Sequence, residues 1–143
     1  MEKISFLSYT YRHIFLPLAL GAMIYIFWGS ANTKFGVLAQ SIVGKEVIIR
    51  LRNVVKNAIE FPDFLIYQLP DCLWAYAFCA TLILIWQGRK AAIISIITLL
   101  LGAGYEIAQY VDFAAGTFDL WDIVAISFGC GLAYFFTQKY FPK

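Results

Sequence analysis

The chain of 143 residues is short of charge: Asp, Glu, Lys and Arg make up only 14% of it, against about a quarter in soluble domains. It holds one histidine, His13, and three cysteines, Cys72, Cys79 and Cys130, each inside an apolar stretch. A lone histidine with cysteines so spaced makes neither a zinc framework nor a disulfide scaffold, so the thiols read as packing residues. There is no basic run and no Gly-rich phosphate loop, and the net charge is only +2. These absences argue against nucleic acid as a partner and point to no cofactor in particular.

What the chain has in excess is apolar surface. Hydrophobic residues are 62% of it and the mean hydropathy is +0.73. One soluble core of this size cannot hide so much, whereas lipid accepts the outward faces of helices. Four apolar segments, residues 13–29, 69–86, 91–109 and 119–138, each approach the roughly 20 residues needed to cross about 30 Å of hydrocarbon. The expected fold is all-α: one membrane domain, residues 1–143, built as a four-helix transmembrane bundle. Lys3 and Arg12 before the first segment, and Gly29-Ser30-Ala31 after it, resemble a cleavable signal. Its bulky aromatics up to Trp28 read better as a retained helix ending in an interfacial belt.

Short loops set the orientation. Arg89 and Lys90 lie in the hairpin 87–90, and Lys3, Arg12, Lys139 and Lys143 lie near the termini, while residues 110–120 carry Asp112 and Asp119 but no Lys or Arg. The positive-inside rule then puts both termini and the hairpin in the cytoplasm of an inner-membrane protein. Residues 30–68 become a long outward-facing loop, in spite of Lys34, Lys45, Arg50, Arg52 and Lys56. Within it, residues 46–59 place Val47, Ile48, Leu51, Val54, Val55 and Ala58 at helical spacing among polar residues. That pattern fits an amphipathic helix on the membrane surface, or equally a soluble cap on the helix ends. Residues 61–69 read as a segment re-entering the headgroup region.

Charges in or beside spans are costly, so each needs a reason. Glu106 lies about 24 Å along the third span from Lys90, with Gln109 three residues on and on the same face. Asp119 and Asp122 suit the N-cap and third position of the fourth helix, and Asp71 follows Pro70 as if in a first helical turn. Topology nevertheless brings Asp71, Glu106, Gln109, Asp119 and Asp122 to one end, with no Lys or Arg between Lys90 and Lys139. Arg50, Arg52 and Lys56 of the long loop are the nearest candidate partners. Otherwise the acids hold a proton among them, for acid–base work, or gather a hard cation through oxygen ligands; whether a metal binds stays open. Gly102, Ala103, Gly104, Gly129 and Gly131 would let the helix backbones approach. Tyr105 and Tyr110 fit an aromatic belt, and His13 an interfacial place at the opposite end.

The run Glu106-x-x-Gln109, then Gly116-Thr117-Phe118-Asp119-x-x-Asp122 and Gly129, resembles the VanZ-like family. Pro70-Asp71 opening an aromatic-rich helix with Trp74 and Tyr76 is similar to an earlier block of that family, and the likeness covers about residues 70–134. It implies a small bacterial membrane protein, of a family named for teicoplanin resistance, with an outward polar site near cell-envelope lipids or glycans. Trp74 and Tyr76 stand in the block where that family usually has a His, and Ile126 where an Asn is common, departures that fit binding without catalysis. The first expectation is therefore an acidic pocket, centred on Glu106, that binds or acts on a membrane lipid or other amphiphile. The rivals are a small subunit docking a larger membrane partner, and a homo-oligomeric pore.

Overall fold

The computed structural model describes residues 6–29, 34–114 and 117–141, including every side chain in them except those of 34 and 35. Lys3, Ser30, Ala31, Gly116 and Lys143 lie outside the described residues. The described chain forms six helices: α1 (Phe6–Phe27), α2 (Lys34–Val43), α3 (Lys45–Ala58), α4 (Asp63–Ile85), α5 (Ala91–Tyr110) and α6 (Leu120–Thr137). A 3-10 turn, Gln138–Tyr140, extends the last. Helices α1, α4, α5 and α6 are long and apolar enough to cross a membrane, and the chain is a multi-pass membrane protein built as an all-α four-helix bundle.

Two spans begin earlier than their apolar runs. Helix α1 starts at Phe6 and takes a π turn at Tyr11–Phe15, and His13 lies buried inside it. Helix α4 starts at Asp63, behind Pro62, which removes the re-entrant segment expected at 61–69. Pro70 therefore sits inside α4, and Asp71 is no first-turn residue but lies more than two turns into a span. The physical reason is that either proline can open a helix. A buried proline in a membrane helix is tolerated where neighbours reclaim the freed carbonyl.

Helices α4 and α6 form the central pair, with α1 laid on α4 and α5 against α6 and α4. Gly129 permits the central contact, since a Cβ there would run into the Cys72 backbone carbonyl. Gly102 likewise lets α5 approach Ile126 on α6, whereas Gly104 and Gly131 face open space and serve no close contact. Around these points Cys79, Ile83, Ile94, Cys130 and Ala133 make the buried core. The three cysteines are free and buried, as packing residues should be.

Chain direction sorts the polar groups into two ends. The α4–α5 hairpin, where Gly88 turns with φ +71°, meets Phe141 at one end. The connections from α1 to α4 and from α5 to α6 lie together at the other, with α2 and α3 packed on one another and on α1.

Candidate functional site

Glu106 is placed by the stripe it belongs to. On α5 the buried residues Ile94, Thr98 and Glu106 recur at multiples of four and turn toward the bundle. Glu106 is consequently only 6% exposed, and its Oε2 accepts the backbone N–H of Asp119 at 3.4 Å. It points neither at acyl chains nor at open solvent.

Asp119 does cap α6: its Oδ1 accepts the N–H of Trp121 at 2.9 Å. Its Oδ2 accepts from the Gln68 side-chain amide at 3.4 Å. Asp122, three residues on from Asp119, shares its side of α6. Asp71, one turn beyond Gln68, accepts the hydroxyl of Tyr25 from α1 at 3.5 Å. Asp71, Glu106 and Asp122 are near enough to interact electrostatically.

Sequence reasoning missed Gln68 and Tyr25. Gln68 precedes Asp71 by three residues and shares its helix face, a relationship that a span starting at residue 69 does not contain. Tyr25 carried no signal beyond being an aromatic near a span end.

A cavity of about 650 Å³ joins these groups. Asp71, Glu106, Gln109 and Asp122 line it at the end near the loops, and Phe78, Thr98 and Leu101 line it further along the spans, with Phe78 and Leu101 on its exposed side. From Gln109 to Thr98 the α5 wall runs about 17 Å. Tyr25 and Trp74 stand side by side in the wall, ring centroids 5.2 Å apart. Tyr105, itself exposed, also lines the cavity, while Tyr110 packs on Phe118 outside it. Among the described residues, no Lys or Arg is part of the lining. Asp119, held by its cap and by Gln68, is not part of the lining either and acts as a support.

Two alternatives left open for the acids narrow here. Among the described residues, no three His, Cys, Asp or Glu side chains are grouped so that they could hold a metal ion. Nor does the basic loop reach over them. Arg52 is buried and donates to the carbonyls of Tyr25 (3.2 Å), Ile26 (2.5 Å) and Gly29 (2.9 Å), at the C-terminus of α1. A guanidinium answers the orphan carbonyls and the negative dipole end of that helix. Burial pulls its pKa below the ordinary arginine value, from a starting point high enough that it stays a cation. Arg50 and Lys56 are exposed.

A second polar group closes the opposite end. His13 Nδ1 meets the Tyr76 hydroxyl at 2.5 Å and Nε2 meets the Tyr140 hydroxyl at 3.0 Å, joining α1, α4 and the C-terminal turn. Tyr9 donates to the Ala80 carbonyl beside it at 2.9 Å. These bonds satisfy the polar groups with one another, and the cluster reads as a structural clamp. Compared with protein-family models, curated proteins and solved structures, the chain matches none of them.

Proposed function

We propose that this membrane protein binds a membrane amphiphile carrying a positively charged headgroup, seated in the cavity between its spans. The observation that carries the reading is one cavity with carboxylates and an amide at its loop end and apolar walls deeper in. Asp71, Glu106 and Asp122 attract a cation that no Lys or Arg among the described lining residues competes for. The Tyr25 and Trp74 rings add faces that favour ammonium groups. Phe78 and Leu101 suit the chain attached to such a head. Glu106 is the central carboxylate; Gln109 orients the head, and Asp119 and Gln68 support the acids. If the bound molecule is also transformed, Glu106 is the group to move the proton.

The resemblance to the VanZ-like family supports an outward-facing site in a bacterial inner membrane. So does the placing of Arg89 and Lys90 at the opposite end, with both termini cytoplasmic. A spin-labelled alkylammonium amphiphile added to the protein in lipid nanodiscs should quench Trp74 fluorescence with saturation. Replacing Glu106 by Gln should weaken that binding about ten-fold while the helical content stays unchanged. Equal quenching by an alkyl sulfate of the same length, or unchanged affinity in the variant, would overturn the reading.

A further inference from the structure

Helix α3 carries a feature that the cavity does not use. Its residues fall into stripes of the same spacing, i, i+4, i+7. Ile48, Arg52 and Val55 face the bundle, and the first two are buried. Glu46, Arg50, Asn53 and Asn57 form an exposed polar stripe on the far side. Between them, on one flank, run Val47, Leu51, Val54 and Ala58, all exposed, with Val54 at 66%; the other flank carries Lys45, Ile49 and Lys56. Helix α2 adds exposed Val37, Leu38, Ile42 and Val43. So much open apolar surface on a short connection calls for something to cover it.

The attachments of α3 set its height. Arg52 grips the last carbonyls of α1. Seven residues further on, the Ile59 carbonyl accepts the indole N–H of Trp28, at 3.3 Å. Trp28 stacks on Phe61 with ring centroids 5.0 Å apart. Both attachments go to the last turn of the same span, where a tryptophan marks the usual level of the headgroups. Only residues 59–62 separate α3 from α4, at most about 14 Å of chain. The helix is therefore held at the membrane boundary and cannot rise far into water. Lys45, Arg50 and Lys56 are exposed on it together with Glu46, and Glu60 and Asp63 are exposed just beyond its end.

We propose that α3 lies in the interfacial layer of the same bilayer that its spans cross. The Val47–Leu51–Val54 stripe enters the acyl boundary, and Arg50, which borders that stripe, lies among the headgroups. The occupant of the exposed stripe is lipid, because the attachments hold the helix at the level where a span ends in tryptophan.

Single cysteines at Val47, Leu51, Val54, Asn53 and Asn57 test this in the full chain. They are labelled with an environment-sensitive dye and reconstituted in vesicles of phosphatidylethanolamine and phosphatidylglycerol. Cys72, Cys79 and Cys130 stay in place, since all three are buried, and the unsubstituted protein serves as the labelling blank. Dyes at 47, 51 and 54 should be quenched by doxyl lipid, and about ten-fold less than those at 53 and 57 by aqueous iodide. Iodide quenching equal at all five positions overturns the proposal in favour of an aqueous cap. Shielding of the stripe from both quenchers overturns it in favour of a protein partner or a second copy.

Discussion

The backbone N–H of Asp119 reaches the Glu106 carboxylate across 3.4 Å, tying the start of α6 to the buried acid of α5. The same Asp119 caps its own helix and receives Gln68 from α4. Three spans thus meet at one backbone amide and two carboxyl groups, which is how a charged side chain can be kept inside a bundle of this composition.

Asp119→Ala removes the cap of α6 and the acceptor of Gln68. The loss should be about 1–2 kcal/mol of stability, with Asp119→Asn retaining most of it. Unfolding of the purified protein by titrated denaturing detergent measures both. Equal stability of the alanine variant and the parent would contradict the capping role.

Gly129 stands where a side chain would strike the Cys72 carbonyl, and Gly131, two residues away, faces open space. Gly129→Ala should therefore destabilise by about 1–3 kcal/mol through overpacking, while Gly131→Ala stays within about 0.5 kcal/mol. Thermal unfolding of the two variants side by side checks the contrast. Similar effects at both positions would deny that α4 and α6 pack as described.

Arg52 makes three bonds from one planar group. Arg52→Ala should cost about 2 kcal/mol and speed amide exchange across α3 and the end of α1. Lysine should restore only part of this, since it lacks the fork. Hydrogen exchange followed by mass spectrometry reads the local loosening, and full protection in Arg52→Ala would count against the attachment.

At the other end, Tyr76→Phe leaves a ring nitrogen of buried His13 without its partner. A loss of about 1–3 kcal/mol is expected. Replacing both at once, His13→Phe with Tyr76→Phe, should lose less than the sum of the two single changes, because no polar group is then stranded. Additive losses in the detergent titration would show that the pair is not coupled.

The four-span architecture was legible because each span is a long apolar run whose length matches a bilayer. So was the α3 helix, whose apolar residues repeat at helical spacing. The starts of α1 and α4 were not. Phe6–Thr10 and Asp63–Leu69 mix aromatic and polar residues, and Pro70 is as much at home in a first turn as inside a membrane helix. That error hid Gln68, which becomes a neighbour of Asp71 only when both lie on one helix. Arg52 was mistaken for a partner of the acids because charge suggests an ion pair, and nothing local announces that helix carbonyls lie closer.

Composition and hydropathy dictated a chain of membrane helices, since so much apolar surface has no stable place in water. They also dictated which ends the polar residues reach, because direction alternates with each crossing. Packing in three dimensions decided the rest: that Glu106 faces inward, that Tyr25 and Gln68 join the acids, and that Arg52 goes to α1. Those outcomes depend on how helices rotate and approach about Gly102 and Gly129, and such rotations follow from contacts between segments far apart in the chain.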